Sequence, residues 1–395
     1  MVRARKGRAI FIAAAMSLVI WTNACTMQDD EPLEDPIFLA GAGAALACKS
    51  LAECFTQFAG TTTNGAALMV YKTDGTMVYE NTSGATGYDT TVPIFSASKL
   101  MTAAVIMAAI DATAGFDLNT TTGSTLSGWT GAKANITMRQ LLAFTSGLVT
   151  VSGSRLSGSE SCISSLSASA SDADKDACIA QIRDNTSNDY APGSTFVYNS
   201  NHMAVAQRMA EIKTGKAWQT LFNDEIATPM GFTSEKTWYG NITDKSGDGS
   251  LAGAYGLYLS PRDYLNFLRM LLNNGTFNST TVLTSASVTE IFQDQFESNT
   301  TIGYSQFALF GYRWRYGLGN WRFCTNTTDA TACDTDLVSH SFGANGFYPW
   351  VDRNRGYATV IGVNGIQPGL LSIIPSSAGS LFFGETIKPY ILQSL

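Results

Sequence analysis

The most constraining stretch of this sequence runs from Leu100 to Ile110, where Leu100, Met101, Val105, Ile106, Met107 and Ile110 leave a helix with no polar face. A helix that is apolar all round is buried, so the fold has to be wrapped about it. Just upstream, Val92-Pro93-Ile94 favours extended chain, which starts the helix near Ser96. At such a start, unpaired amide N–H groups and the positive end of the helix dipole favour developing negative charge. Lys99 follows three residues on, on the same side of the helix. A buried lysine is costly to desolvate unless it has partners or chemistry to perform. Hydroxyl and amine together read as a nucleophile with its own proton acceptor. The plainer reading is a capping serine and a lysine that reaches back to water, and the Ser-x-x-Lys tetrapeptide alone does not separate the two.

Composition narrows the chemistry. With 395 residues, 45% of them apolar and 14% charged, the chain suits one large domain or two lobes sharing a core. A net charge of -7 without a basic run argues against a nucleic-acid partner. The only histidines are His202 and His340, and no Gly-x-Ser-x-Gly occurs. A zinc site built on several histidines is thereby excluded, and a nucleophile-elbow hydrolase is disfavoured.

Arg3, Arg5, Lys6 and Arg8 precede an apolar run from Ala9 to Trp21, the pattern of an export signal over residues 1–24. Cleavage after Ala24 would leave Cys25 first, as in a bacterial lipoprotein, although Thr22 and Asn23 fit that pattern poorly. Residues 25–36 are acidic and proline-bearing, a solvated tether, and 37–395 form the main domain. The remaining cysteines fall as near neighbours: Cys48 with Cys54, Cys162 with Cys178, Cys324 with Cys333. Export favours those local disulfides; buried free thiols are the alternative.

Along the main domain, Ala66–Tyr71 and Thr76–Tyr79 flank Asp74-Gly75 as a hairpin. Thr137 can cap a short helix with Leu141 and Leu142 inward and its end marked by Gly147. Thr150–Ser171 is a serine-, glycine- and alanine-rich excursion, followed by a helix over Ala173–Ile182. After Pro192-Gly193 an apolar helical pattern continues to Ile212 and stops at Gly215. Ser260 and Pro261 open a helix through Leu272. Phe347–Val351 and Tyr357–Val363 read as strands, and a last helix from Ser377 to Lys388 should stop at Pro389. Strands at both ends with helices between predict an α+β fold: one antiparallel sheet from the two chain ends, flanked by helices, with a helical lobe inserted over roughly 110–250.

These motifs, in this order, resemble the serine β-lactamase and D-Ala-D-Ala carboxypeptidase superfamily. The likeness is to its class C-like branch of penicillin-recognising esterases and 6-aminohexanoate-dimer hydrolase-like amidases. It runs from about Ala66 to Val363. Phe95-Ser96-Ala97-Ser98-Lys99 matches the first motif, and Ile136–Leu148 matches a helix ending in Thr-Ser-Gly-Leu, with Phe144 where histidine is common. Tyr198-Asn199-Ser200 stands where the family has Tyr-x-Asn, so a hydroxyl replaces the side-chain amide. The third motif, usually Lys-Thr-Gly or His-x-Gly, falls within Ser339–Gly346. Matching on the histidine puts His340 first, and counting back from the glycine puts Ser341 first. Ser341-Phe342-Gly343 is preferred, because glycine lets backbone and substrate approach closely. Either register lacks the usual threonine.

The resemblance implies a covalent acyl-enzyme. Ser96 attacks a carbonyl, Lys99 draws off its proton, and Tyr198 handles protons at the leaving group and at water, a nearby ammonium favouring its phenolate. The oxyanion would be held by the Ser96 N–H with that of Gly343 or Ala344, while Ser200, His340 and Ser341 face substrate. His202 reads as a packing histidine. Without a fixed cation on the third motif, carboxylate recognition is weak. The expected activity is therefore a serine hydrolase of small esters or amides; the alternatives are a β-lactamase or D-Ala-D-Ala carboxypeptidase-type peptidase, and an inactive envelope protein that binds ligand in the same cleft. No cofactor and no metal are implied, and the partner is a small-molecule ester or amide. The expected location is exported: periplasmic, secreted, or held at the outer membrane by a lipid on Cys25.

Overall fold

The computed structural model describes residues 48–152, 155–305, 307, 314–323, 337–365 and 376–395. The export signal, the tether, Cys25 and the Cys324/Cys333 pair lie outside the described residues.

Asp74 and Gly75 turn the chain between β1 (Gly65–Lys72) and β2 (Met77–Gly84), and the Asp74 carboxylate accepts the Thr76 N–H at 2.8 Å. The C-terminal part of the chain supplies β3 (Arg315–Tyr316), β4 (Trp321–Arg322), β5 (Val338–His340), β6 (Tyr348–Asp352) and β7 (Tyr357–Val363). The strands run in the order β3-β4-β5-β6-β7-β1-β2, each antiparallel to its neighbour, with Lys72 opposite Tyr357 where the two chain ends meet. The α+β fold with a sheet closed by both ends is what the chain adopts. β7 is buried along its whole length, as a strand covered on both faces should be.

Helices cover the sheet and fill the middle of the chain. Among them are α1 (Leu51–Ala59), α2 (Ser98–Ala112), α3 (Met138–Leu142), α4 (Asp172–Asn185), α5 (Asn201–Thr214), α6 (Pro261–Leu272) and α7 (Ser376–Ser394). The apolar run is α2, and every residue from Ser98 to Ala109 is buried. Ser260 caps α6 by accepting the Asp263 N–H at 3.1 Å, with Pro261 as its first residue. The Tyr264 hydroxyl then donates to the Ala97 carbonyl at 2.8 Å and ties α6 to the start of α2. Disulfides join Cys48 to Cys54 and Cys162 to Cys178, the second tying the excursion to α4.

Several boundaries differ from the sequence expectation: α4 runs to Asn185 and β2 to Gly84, and two helix ends have a clear physical cause. Thr137 forms a capping box with Gln140, but α3 ends at Leu142 because Phe144, not Gly147, takes the first left-handed conformation (φ 61°). Pro389 does not stop the last helix, which continues to Ser394. The far side of the proline is held by packing: Ile391 is fully buried and the Tyr390 hydroxyl donates to the Cys48 carbonyl at 2.8 Å. Such contacts offset the single helix hydrogen bond that proline removes.

Candidate active site

Phe95 has φ 47°, in the left-handed region where a bulky side chain is strained, so the distorted backbone sits immediately before Ser96. Ser96 lies in a tight 3₁₀ turn, Phe95–Ala97, that runs into α2. One helical turn later Lys99 points back, its Nζ 3.0 Å from Ser96 Oγ and 2.7 Å from the Ala254 carbonyl oxygen. Lys99 is 3% exposed and has no carboxylate among its described hydrogen-bond or ion-pair partners. Burial therefore disfavours its ammonium and lowers its pKa from 10.5 to about 7.

The loop that presents the Ala254 carbonyl is itself clamped. Thr102 donates to the Gly253 carbonyl at 2.8 Å, Gln207 accepts the Gly253 N–H, and Ser98 Oγ accepts the Leu257 N–H at 3.2 Å. Side chains from α2 and α5 thus position the second partner of Lys99.

Tyr198 arrives from the other side, at the end of a short parallel pair in which Thr195–Val197 runs beside Thr301–Tyr304. Its N–H donates to the Tyr304 carbonyl at 3.2 Å. The ring lies against Trp321, 5.2 Å between centroids, and Phe144, 5.4 Å, with Lys99 Nζ 4.6 Å from its own centroid. Its side chain lines the same cleft as Ser96 and Lys99. Burial raises the Tyr198 pKa, opposed only partly by the nearby Ser96 hydroxyl. The phenolate expected from a neighbouring ammonium is therefore disfavoured. The physical reason is mutual: Lys99, itself pushed down to about 7, is a weak standing charge at neutral pH.

On the third motif neither candidate side chain is among the cleft-lining residues. Ser341 is 2% exposed and its Oγ donates to the Ser96 carbonyl at 3.4 Å, so it supports the backbone of Ser96 and does not face substrate. His340 is fully buried among Trp314, Phe342 and Tyr348, its Nδ1 2.6 Å from the Tyr348 hydroxyl. His340 is thus packed in the core and does not line the cleft, because successive side chains along extended chain face opposite ways. Gly343 meets its expectation of close approach: a Cβ there would stand 2.4 Å from the Ile94 carbonyl oxygen. Its N–H, however, donates to the Phe347 carbonyl at 2.8 Å, which takes it away from any oxyanion. The exposed Ala344 has no such backbone bond.

His202 is also fully buried. One ring nitrogen is 2.8 Å from the Val197 carbonyl and the other 2.7 Å from Ser146 Oγ, so the neutral ring donates to the former and accepts from the latter. Burial lowers its pKa to about 4. Its ring stacks on Phe144, 5.0 Å between centroids.

A cleft of about 290 Å³ opens onto Ser96 and Lys99, lined further by Ser159, Tyr198, Asn199, Ser200, Tyr255 and Tyr304. Ser200 is where the family's amide is expected; the Asn199 side chain instead binds the Leu148 carbonyl and the Asn201 N–H. Ser159, Tyr255, Tyr304 and the Ala254 carbonyl escaped the sequence reading. The only local signal for Tyr304 was a β-branched neighbourhood, and the pairing that brings it in joins residues more than a hundred apart.

The beta-lactamase family model matches residues 51–371, and the chain belongs to that family. With a protein assigned as a beta-lactamase of Bacteroides dorei DSM 17855 it shares 26% identity and a TM-score of 0.64, over 85% of this chain and 95% of that one. A Bacillus anthracis protein assigned as a 6-aminohexanoate-dimer hydrolase has the same fold (TM-score 0.60, 17% identity, 87% and 82% covered). So does a variant of the simvastatin synthase LovD from Aspergillus terreus (TM-score 0.59, 17% identity, 93% and 100% covered). No curated protein matches the chain.

Proposed function

We propose that the protein is a serine hydrolase that cleaves small esters or amides through an acyl-enzyme on Ser96. The observation that carries this is the convergence of a hydroxyl, an amine and a phenol in one cleft: Lys99 Nζ lies 3.0 Å from Ser96 Oγ and 4.6 Å from the Tyr198 ring centroid, and all three side chains line the cleft. With a pKa of about 7, Lys99 is half neutral near neutral pH and can accept the Ser96 proton as Oγ attacks. The bond from carbonyl carbon to the leaving oxygen or nitrogen then breaks. Tyr198, kept protonated by burial, passes a proton to that atom and is resupplied from Lys99. Water attacks the acyl-enzyme by the reverse relay, its proton returning to Ser96. The Ser96 and Ala344 amides are the oxyanion donors this reading uses, each worth about 10²-fold or more in rate. The closed disulfides support action outside the cytoplasm, and the proposed locations are the periplasm, the outer membrane through a lipid on Cys25, or the exterior after secretion.

A fluorophosphonate probe tests the reading. The expected result is one adduct, mapped to Ser96 and lost in Ser96→Ala, with turnover of p-nitrophenyl butyrate well above that of nitrocefin. No adduct, or one that survives the substitution, overturns the hydrolase in favour of a ligand-binding protein. Family membership supports β-lactam hydrolysis as the second reading, and efficient nitrocefin turnover without esterase activity would select it.

A further inference from the structure

We infer that the leaving-group side of this cleft is a subsite for a polyhydroxylated alcohol, so that the preferred substrates are O-acylated monosaccharides or similar polyol esters. This rests on the acyl-enzyme reading above and deepens it. The leaving oxygen must be protonated from Tyr198, so the alcohol lies against the residues that surround Tyr198. Those are Asn199 and Ser200, which follow it in sequence, Tyr304, whose carbonyl accepts the Tyr198 N–H, and Ser159, whose hydroxyl accepts the Ser200 N–H at 2.9 Å. Tyr255 closes the lining, its hydroxyl donating to the Gly240 carbonyl at 3.0 Å.

The chemistry of this wall discriminates between alcohols. Apart from Lys99, the described lining residues carry no charge, so a carboxylate or ammonium on the leaving group finds no ionic partner among them. A purely aliphatic alcohol would displace water from the Ser159, Ser200 and Tyr304 hydroxyls and return no hydrogen bond to them. A ring bearing several hydroxyls can bond to these side chains, and Tyr255 and Tyr304 offer aromatic surface for its C–H faces. At about 290 Å³ the cleft is at the lower edge of small-molecule pockets (~300–1,000 Å³), which suits a small alcohol over a polymer. The step balances as a hydrolysis: Ser96 Oγ bonds the acyl carbon, the C–O bond to the sugar breaks, Tyr198 protonates the sugar oxygen, and water releases the acid.

The test compares two primary acetates that differ in the hydroxyls of the alcohol: methyl 6-O-acetyl-glucopyranoside and cyclohexylmethyl acetate. Acetate release is measured for the wild type, Tyr304→Phe and Ser200→Ala. The wild type should favour the sugar ester in kcat/KM by about tenfold or more, since a site built to hydrogen-bond hydroxyls rejects analogues that lack them. Each substitution should lower that ratio by roughly fivefold, the loss of one neutral hydrogen bond. A ratio of one or less in the wild type, or one that neither substitution moves, overturns the subsite. If fluorophosphonate labels Ser96 but the sugar ester is not cleaved, the subsite alone falls. If Ser96 is not labelled and neither ester is cleaved, the acyl-enzyme reading falls first and takes the subsite with it.

Discussion

Lys99 and Lys175 are buried alike, 3% and 6% exposed, yet their surroundings are opposite. Lys175 on α4 meets Glu211 on α5 at 3.2 Å and Asp172 at 3.7 Å, beside Arg208, which binds Asp172, Asp176 and Glu211. Glu211 also accepts the Trp218 N–H at 2.9 Å. That lysine holds two helices together through compensated charge. Lys99 on α2 has a serine hydroxyl and a carbonyl, and nothing of opposite sign. A buried amine with carboxylates stays a structural cation, whereas one without them is tuned toward neutrality and becomes able to take a proton.

The largest contrast should come from replacing each lysine with methionine. Lys99→Met is expected to lower kcat by about 10²–10⁴-fold, the range for losing a general base. Lys175→Met should leave kcat within about threefold and lower unfolding free energy by about 1–3 kcal/mol, since buried Glu211 loses one charged donor and retains Arg208. Steady-state kinetics and urea melts on both variants measure this, and equal kinetic losses would erase the distinction.

Gly343→Ala tests the geometry from the opposite wall. The added Cβ would lie 2.4 Å from the Ile94 oxygen, and because that neighbour is backbone, the turn before Ser96 has to move. The expected result is a kcat loss of about 10²-fold, the scale for a misplaced catalytic group, with far-UV circular dichroism unchanged.

Titration sharpens the comparison further. The proposed mechanism uses the base form of Lys99, so kcat/KM should rise with pH to a plateau, with its acid limb near pH 7. Stability runs with the same sign. Below pH 10.5 the unfolded chain holds a proton that the native site refuses, so native stability falls between pH 10.5 and about 7 and is level below that, where both states are protonated. The stability advantage of Lys99→Met over the wild type should therefore widen across that window and then stay constant. A gap independent of pH would mean that Lys99 titrates normally.

The smallest effect should be that of Thr102→Val, which frees the Gly253 carbonyl and loosens the loop carrying the Ala254 oxygen. The ammonium of Lys99 then loses stabilisation, and the acid limb is expected to move a few tenths of a pH unit lower without a large change in the plateau. An upward shift would contradict the role given to the Ala254 carbonyl.

Ser96 and Lys99 were legible in the chain because their relation is local: one helical turn brings them together in any helix. Tyr198 was legible through the order of motifs. The register of the third motif was legible only through Gly343 and its close approach; where the His340 and Ser341 side chains point was not, since adjacent residues on extended chain face opposite sides and pairing to β4 and β6 decides which side meets Ser96. Pro389 misled for a related reason, local propensity being overridden by the packing of Ile391 and Tyr390.

By itself, then, the sequence determined a buried central helix with a serine hydroxyl and a lysine amine at its start, the two-ended antiparallel sheet, and the hairpin and caps that delimit its elements. These follow from periodicity and turn chemistry acting over a few residues. Only tertiary structure decided that the lysine has no counter-charge, that burial keeps the phenol protonated, that the Gly343 amide is already engaged, and that Tyr304 and Ser159 face the cleft. Desolvation and long-range pairing depend on what surrounds a group in space, and no short window of sequence contains that information.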